Sequence, residues 1–310
     1  RNGMSLTTLF LYRRQMGLTA TGPDARTSYA ITIASKAIEA FCGRTFALTT
    51  RRQWLDGTGF DRMLLLEWPI TALNGVAISG LESITISSTF TQAAASTTDT
   101  GMNLAWFDSA GDSQSSTLAF ATYKTMTTLA AAVNLVTGWT ATVLSGCGAY
   151  PTVLLKPWMS GPCSTSTTIS FFVPGQWVQA RIASDSNRQI IRSSSWASYF
   201  NQVGGRDSRQ PIFPEGNGNI FVWYTAGYTE PVDNPTSSAL TTAGNVPEDL
   251  TAVANVVAKA AMDAANISAG GIQSESIGNY SYSLSGDMKS AVDSAIAANA
   301  QALMPYRRLA

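Results

Sequence analysis

At residues 38–46 the chain reads Ile-Glu-Ala-Phe-Cys-Gly-Arg-Thr-Phe, and this stretch marks the change from helix to strand. Upstream of it, apolar residues recur at helical spacing from Ala30 to Phe41, which predicts one buried helix face. Gly43 then supplies a residue that adopts the left-handed C-cap conformation at no steric cost. Beyond residue 46 the pattern turns to short strand-like runs. We therefore predict helix before this stretch and strands after it.

Working outward from this stretch, the first 180 residues divide into three regions. Residues 5–46 have helical periodicity, and residues 47–80 read as short strands separated by turns. Residues 81–180 are rich in Ser, Thr and Ala and are nearly free of charge. Glycine and proline punctuate this third region at short intervals, so it is predicted to be an inserted, β-rich lobe.

The remaining sequence predicts a return to strands, then a helix and an arm. The strand pattern resumes at residue 189 and is strongest at residues 220–224. Pro247 followed by two acidic residues opens a helix predicted at 247–269. A final helix is predicted at 287–304. The predicted domains are a core formed by 1–80 and 181–270, an inserted lobe at 81–180, and a C-terminal arm and helix at 271–310.

The composition gives no sign of a nucleic-acid-binding or membrane-binding charge. Only 13% of the 310 residues are charged, about half the share usual in globular proteins. Twenty basic and 20 acidic residues give a net charge of zero, so no overall field attracts the chain to DNA or to anionic lipid. A sparsely charged, Ser/Thr-rich surface is common in β-rich proteins of large assemblies.

The chain lacks the residues that most enzymes use. It has no histidine, which removes the commonest general base and most zinc sites. It also has no phosphate-binding loop and no nucleophile elbow. We therefore expect no enzymatic activity, no metal and no cofactor. Three weaker candidates stay open: a loose calcium site at Asp108 and Asp112, a carboxylate pair among Asp56, Asp61, Glu67 and Asp185, and a sugar platform from Trp139, Trp158, Trp177 and Trp196. Solvated turns and core or interface packing are the favoured interpretations.

The cysteines and the apolar runs indicate the kind of cellular compartment in which the chain is expected. Cys42 lies on an apolar helix face and is expected to be buried. Cys147 and Cys163 are expected to be free thiols of a reducing compartment, with a disulfide between them as the alternative. No run of 18 apolar residues occurs, and the apolar run at residues 6–11 is too short for a signal peptide. Neither a membrane span nor a secretory leader is expected.

Five segments in series resemble the head-to-tail adaptor proteins of tailed bacteriophages, also called connector or head completion proteins. The order and relative placement of the segments fit that family, and the lobe at 81–180 is longer than a typical member needs. The segments are residues 34–46, residues 56–70 with Leu-Leu-Leu-Glu-Trp-Pro-Ile, residues 218–228 ending in Tyr-Thr-Ala-Gly-Tyr, Val-Pro-Glu-Asp-Leu at 246–250, and the arm at 274–284 with Leu-Met-Pro-Tyr-Arg-Arg at 303–308.

The resemblance implies an α+β fold with a helical adaptor core, a small antiparallel sheet, a β-rich inserted lobe and an extended C-terminal arm. It implies a structural virion protein that forms a dodecameric ring under the portal, joins the head to the tail and continues the DNA channel. The expected partners are the portal protein, further copies of the chain, a tail or tail-completion protein and, transiently, the exiting DNA, with no membrane contact. The expected location is the head–tail interface of the virion, after assembly in the host bacterial cytoplasm.

The resemblance also selects contact residues. The residues expected to meet the portal or a neighbouring copy are Ile277, Tyr280, Tyr282, Leu284, Tyr306, Arg307 and Arg308. The alternation at 280–284 predicts a strand that either joins a neighbour's sheet or folds back as a hairpin on its own domain. The residues expected to pack helix 247–269 against a neighbour in the ring are Leu250, Val253, Val257 and Ala261. Removal of residues 271–310 is expected to abolish portal attachment and to leave the core folded.

Two other classes of protein are compatible with the sequence. The first is a different tail-joining component, such as a tail completion or terminator ring protein, which would not bind the portal directly. The second is a carbohydrate-binding surface protein, which the Ser/Thr-rich lobe and its tryptophans suggest. Portal binding separates the first from an adaptor, and glycan binding identifies the second.

Overall fold

The structure is a computed structural model that describes most of the chain. The described residues are 4–19, 24–164, 166–192, 212–233, 240–242, 244–270, 274–277, 280–283 and 287–308, with the backbone alone at 159, 267–270, 274–277 and 280–283.

Among the described residues, helices occupy both ends of the chain and one place in its middle. Asp24 caps the second helix by accepting hydrogen bonds from the amides of Arg26 and Thr27 (both 3.1 Å), and Gly43 closes it with a left-handed backbone (φ 65°). The helices are α1 Leu9–Met16, α2 Ala25–Cys42, α3 Met126–Asn134, α4 Glu248–Gly270, α5 Met288–Ala298 and α6 Ala300–Leu303, with 3₁₀ turns at Thr152–Leu154 and Met304–Tyr306.

Between α2 and α4 the described residues form mainly strands, with α3 and one 3₁₀ turn among them. They are β1 Thr49–Gly57, β2 Arg62–Leu64, β3 Ile70–Ser88, β4 Ala93–Thr97, β5 Gly101–Phe107, β6 Ser113–Ala119, β7 Trp139–Val143, β8 Trp158–Pro162, β9 Ile169–Val178, β10 Ala180–Ala183, β11 Ser186–Arg192, β12 Gly216–Ala226, β13 Val232–Asp233 and β14 Leu240–Thr242. Two further short strands, β15 Ser274–Ile277 and β16 Tyr280–Ser283, lie between α4 and α5.

The predicted fold class, a helical core with a small sheet, is wrong. Strands make up 40% of the protein and helices 30%, and the strands form several antiparallel sheets. The physical reason lies in β3, which is 19 residues long and pairs with β7 and β9 in addition to β12. One strand thus joins sequence assigned to the core with sequence assigned to the lobe, and the Ser/Thr-rich region enlarges the sheet. The predicted boundary between residues 80 and 81 falls inside this strand.

The chain forms two compact units, each made of several segments. Unit 1 comprises 1–50, 65–72 and 225–310, and unit 2 comprises 51–64 and 73–224. Unit 2 contains most of a five-stranded sheet with β12 between β1 and β3, a four-stranded sheet in the order β6-β5-β4-β8, and a three-stranded sheet in the order β10-β11-β2. Its core joins the first two sheets to α3, with Ile84, Leu104, Leu129 and Phe171 fully or almost fully buried.

Unit 1 is built from helices around α4. The central helix α4 packs against α2 and α5, and the buried core includes Ile38, Val257, Ile296 and Leu303. Leu6 is fully buried beside them: its amide donates to Ser35 Oγ (3.0 Å), and its carbonyl oxygen accepts from Thr251 Oγ1 (3.2 Å). The N-terminal segment is therefore part of this core. Of the predicted helices, α2 and α4 are confirmed.

Candidate functional site

Hydrogen bonds to Glu39 fix the course of the chain directly after α2. The Arg44 amide donates to the Glu39 carbonyl oxygen (3.2 Å), and the Phe46 amide donates to Glu39 Oε1 (2.9 Å). Burial raises the pKa of the Glu39 carboxyl. Both Arg44 and Phe46 are buried, so this turn places a cation and an aromatic ring inside unit 1.

Arg44 joins α2 to residues 67 and 68. Its guanidinium carbon lies 3.9 Å from the ring centroid of Trp68 and 5.0 Å from that of Phe46. Its Nε is 3.6 Å from Glu67 Oε2, and one terminal nitrogen donates to the Trp68 carbonyl oxygen. A buried charge is tolerated when it is paired and hydrogen-bonded. The structure therefore explains why residue 44 is an arginine: its planar guanidinium lies over aromatic rings and donates a hydrogen bond at the same time.

Directly after β12, the backbone of residues 227 and 228 is hydrogen-bonded to the segments that surround Arg44. The Tyr228 amide donates to the Phe46 carbonyl oxygen (2.7 Å), and the Gly227 amide donates to the Pro69 carbonyl oxygen (3.0 Å). The backbone of Gly227 is left-handed (φ 114°), and a Cβ atom there would lie 2.5 Å from the carbonyl oxygen of Ala47. Only glycine fits this position, which explains the glycine of the Tyr-Thr-Ala-Gly-Tyr segment.

Tyr306 connects the C-terminal turn to the start of α4. Its hydroxyl donates to the Asp249 carboxylate, with distances of 2.7 and 2.9 Å to the two oxygens, and its ring meets Phe46 edge to face at 6.3 Å. Burial and the adjacent Asp249 carboxylate raise the pKa of the Tyr306 hydroxyl. The hydroxyl therefore stays protonated at neutral pH and anchors the C-terminal turn to α4.

Replacing Tyr306 by phenylalanine is expected to destabilise unit 1 by about 1–2 kcal/mol, because it removes a hydrogen bond to a charged group and keeps the ring. The raised pKa means that this contribution is fully present below the ordinary tyrosine pKa near 10. It is lost as the pH rises through the folded-state pKa. Chemical unfolding at pH 7 and at pH 11 measures the difference between Tyr306→Phe and the native chain. An equal difference at both pH values would contradict this role of the hydroxyl.

Arg307 and Arg308, which follow Tyr306, contact the C-terminal end of α2. The Arg308 amide donates to the Cys42 carbonyl oxygen (2.8 Å), and the Arg307 guanidinium carbon lies 5.5 Å from the ring centroid of Phe41. Both side chains are nevertheless exposed. The backbone here is anchored, and two cations are presented on the surface of unit 1.

These contacts bring residues from all five resembling segments together in unit 1. Each segment contributes at least one of the contacting residues, although the segments are spread over most of the sequence. We call this set the motif cluster; it consists of Arg44, Phe46, Glu67, Trp68, Tyr228, Asp249 and Tyr306.

The sequence-predicted contact residues lie in three different environments. Tyr306, Arg307 and Arg308 belong to or adjoin the motif cluster. Leu250, Val253, Val257 and Ala261 are buried in the core of unit 1, where α4 meets α2 and α5 of the same chain. Because their packing is internal to the chain, these four side chains are not available on its surface.

The arm forms a hairpin where its backbone is described. β15 pairs with β16 in antiparallel register, with Ser274 opposite Ser283 and Ile277 opposite Tyr280. Within the described part of the chain the hairpin has no third strand. Tyr282 lies on β16, whereas Leu284 lies outside the described residues.

An open cleft of about 660 Å³ in unit 1 shares Tyr228 with the motif cluster. Its walls combine apolar side chains with one exposed cation, Lys36, and one carboxylate, Glu230, whose Oε1 accepts from the Ser5 amide (2.9 Å). The lining residues are Met4, Ser5, Thr32, Lys36, Ala47, Leu48, Tyr228, Thr229 and Glu230. Burial raises the pKa of the Tyr228 hydroxyl.

The weaker chemical candidates have structural explanations. Asp108 organises its own turn by accepting hydrogen bonds from the amides of Ala110 and Asp112 (both 2.9 Å), and the Asp112 amide, with Gln114, lowers the pKa of Asp108. No cluster of three or more metal-ligating side chains occurs among the residues the structure describes.

Three of the four candidate carboxylates, those of Asp56, Glu67 and Asp185, have separate partners. Asp56 accepts from the Gly218 amide (2.5 Å), Asp185 pairs with Arg62 (2.7 Å), and the backbone of Asp61 accepts from the Arg192 amide (2.9 Å). Glu67 lies in unit 1 and the other three lie in unit 2.

The tryptophan and cysteine predictions are resolved where the residues are described. Trp139 is buried, Trp158 and Trp177 are 49% and 45% exposed, and Trp196 lies outside the described residues. The described tryptophans thus include one that no surface platform can use. The cysteines Cys42, Cys147 and Cys163 are all free and buried, and burial raises the pKa of Cys42 and of Cys163 to about 11.

Comparison of the sequence with protein-family models and with characterised proteins finds no relative of this chain. No protein-family model matches the chain, and no characterised protein is significantly similar to it in sequence. In the described part of the chain, no helix is both long enough and apolar enough to cross a membrane.

Sequence reasoning missed the contacts that hold the motif cluster together. The sequence places Arg44, Glu67 and Trp68 in two of the resembling segments, but the resemblance does not show that these three residues contact one another. The available signal was the lone arginine directly after a helix-closing glycine, in a chain with few charges. Such a residue either points to solvent or needs a buried partner, and Glu67 in an apolar run is the matching anion.

Proposed function

We propose that this chain is a structural head-to-tail adaptor of a tailed-phage virion, which forms a ring under the portal, joins head to tail and continues the DNA channel. The motif cluster is the observation that supports this proposal. The five segments that resemble the adaptor family are far apart in sequence, and each contributes a residue to the cluster. An accidental similarity of five unrelated segments would give no reason for these residues to contact one another.

The chemistry of the site agrees with a structural role. Burial is the largest cause of the raised pKa values of Glu39, Tyr228 and Tyr306, as expected of groups packed inside a folded unit. Zero net charge also suits a channel component, since a strongly basic wall would retain the passing DNA. The virion location follows from this role.

The surface beside the motif cluster provides the proposed portal contact. Arg307 and Arg308 are exposed on an anchored backbone, so they can meet carboxylates without a large loss of backbone entropy. The β15–β16 hairpin provides the second element, because a two-stranded hairpin is only marginally stable alone and gains from a further strand.

The test is to mix the purified chain with the portal ring and to measure the mass of the complex by native mass spectrometry. The expected result is the addition of about one chain per portal subunit, as symmetric assembly requires. A portal ring whose mass stays unchanged at saturating concentrations of the chain would exclude the adaptor role and favour a tail-side joining protein.

A matched pair of double variants locates the contact. Neutralising Arg307 and Arg308 as Arg307→Gln/Arg308→Gln is expected to weaken portal binding at least about tenfold. The control, Arg13→Gln/Arg14→Gln, removes two adjacent arginines from the last turn of α1 and should leave binding unchanged. Equal effects of the two double variants would show that only overall charge matters.

A further inference from the structure

The four-stranded sheet of unit 2 ends in an unusually regular edge strand. β6 reads Ser-Gln-Ser-Ser-Thr-Leu-Ala and pairs with β5 over seven consecutive residue pairs, from Gly101 opposite Ala119 to Phe107 opposite Ser113, without a bulge. Within the described residues β6 has no strand on its other side. Its outer edge is therefore a row of backbone groups without a strand partner.

The hydrogen-bond pattern shows which backbone groups face outward. In an antiparallel pair, every second residue exchanges both hydrogen bonds with the neighbouring strand. The bonded positions fall on even residues, because the Asp108 amide donates to the Asp112 carbonyl oxygen (3.0 Å) and the Phe120 amide to the Thr100 carbonyl oxygen (2.9 Å). The odd residues Ser113, Ser115 and Thr117 hence direct their amide and carbonyl groups away from β5. Ala119 differs, since its carbonyl oxygen accepts from the amides of Thr122 and Tyr123.

The other edges of these sheets carry features that prevent strand pairing. The β7 edge is covered by Asn134, whose side chain accepts from the Ala141 amide (2.7 Å) and donates to the Ala141 carbonyl oxygen (3.2 Å). β1 contains adjacent arginines, and β8 and β9 each contain a proline. β2 and β10 are three and four residues long and contain an arginine. Compared with these, β6 has seven residues without charge, proline or glycine.

We propose that the free edge of β6 pairs with the same edge of a second copy of this chain. The three outward residues are self-complementary in antiparallel register, with Ser115 opposite Ser115 and Ser113 opposite Thr117 of the second copy. All three side chains are exposed hydroxyls, and Ser/Thr pairs directly across two strands are favourable. No like charges oppose one another in this register, so the strand meets its own copy without repulsion.

The proposed pair joins two four-stranded sheets into a continuous sheet of eight strands. It has two-fold symmetry, which distinguishes it from the head-to-tail contacts of a cyclic ring. The inference concerns the free chain and does not rest on the adaptor proposal. Because the contact consists mainly of hydrogen bonds along one strand, the dimer is weak and concentration-dependent.

The test uses sedimentation equilibrium of the full chain, without portal, from about 10 µM to about 1 mM. The native chain is expected to approach twice its mass of 32.9 kDa at the upper end of this range. Ser115→Pro removes an outward amide without removing a hydrogen bond to β5, and it is expected to weaken dimerisation at least about tenfold. Ser115→Ala keeps the amide and loses only the hydroxyl pair, so it should weaken dimerisation far less than Ser115→Pro does.

A charge-swap pair tests the register and does not depend on proline being tolerated. Because Ser115 lies opposite itself, Ser115→Lys and Ser115→Glu each place like charges across the interface, and each should be a monomer. An equimolar mixture of the two variants should dimerise again. The control variants Thr142→Lys and Thr142→Glu change an exposed residue on the covered strand β7 and should sediment as the native chain does.

Three results would overturn the proposal. The first is a native chain that remains monomeric at about 1 mM. The second is a native assembly that persists unchanged in Ser115→Lys. The third is a mixture of Ser115→Lys and Ser115→Glu that does not dimerise again. Failure of the chain to bind portal leaves the dimer measurement unaffected, so the two proposals are tested separately.

Discussion

Replacing Arg44 by alanine is expected to lower the free energy of unfolding of unit 1 by about 3–5 kcal/mol. The substitution leaves Glu67, which is only 8% exposed, without its cation. It also removes the group that lies over Trp68 and beside Phe46. A loss of this size is a large part of the total stability of a domain, which is about 5–15 kcal/mol.

An exposed ion pair in unit 2 provides the matched control. Arg62 and Asp185 are closer together (2.7 Å) than Arg44 and Glu67 (3.6 Å), but their side chains are 45% and 58% exposed. Because water screens such a pair, Arg62→Ala is expected to change stability far less than Arg44→Ala does. If distance alone decided the energy, Arg62→Ala would have the larger effect, so the comparison isolates burial.

Trp68 offers a probe that reports on unit 1 alone. Of the tryptophans that the structure describes, only Trp68 lies in unit 1. Fluorine NMR of chain labelled with 5-fluorotryptophan, with the Trp68 signal assigned by Trp68→Phe, follows the denaturation of this unit separately. An Arg44→Ala midpoint within the error of the native midpoint would show that Arg44 does not hold the motif cluster together.

Local sequence signals predicted the helices well because each signal acts over a few residues. Gly43 determines the end of α2 by its own conformational freedom, and Pro247 with the acidic residues after it determines the start of α4. Both depend on neighbours in the chain and not on the rest of the fold.

The sheets and the motif cluster could not be predicted in the same way. Nothing within a few residues of β3 shows that its two halves pair with different strands, and so its length as one strand was missed. The partners of Arg44 are 23 and 24 positions away, and Tyr306 meets Asp249 across 57 positions. Such contacts depend on the packing of whole elements. The resemblance indicated which segments matter, but not that they touch.

The C-terminal region is expected to contain two parts that differ in their importance for folding. The helices after residue 286 are needed for unit 1 to fold, and the hairpin before them is not. Sequence reasoning treated residues 271–310 as an arm that can be removed while the core stays folded. The structure predicts the opposite for the part after residue 286, because Val292, Ile296 and Leu303 are buried in unit 1. Each buried aliphatic side chain contributes about 1.5–3 kcal/mol. A chain that ends at residue 286 should therefore lack the unfolding transition of unit 1, since the combined loss approaches its whole stability.

The hairpin gives the contrasting variant. Replacing residues 274–283 by a Gly-Ser linker of the same length keeps α5 tethered to α4, and a change within a loop alters its closure entropy little. Its stability should stay within about 1 kcal/mol of the native chain, while portal binding is lost if the hairpin provides the docking strand. The Trp68 fluorine signal measures the first quantity, and the mass of the portal complex measures the second. A linker variant that unfolds, or a chain ending at residue 286 that keeps the native Trp68 signal, would contradict this division. A folded linker variant that still binds the portal would assign docking to Arg307 and Arg308 alone.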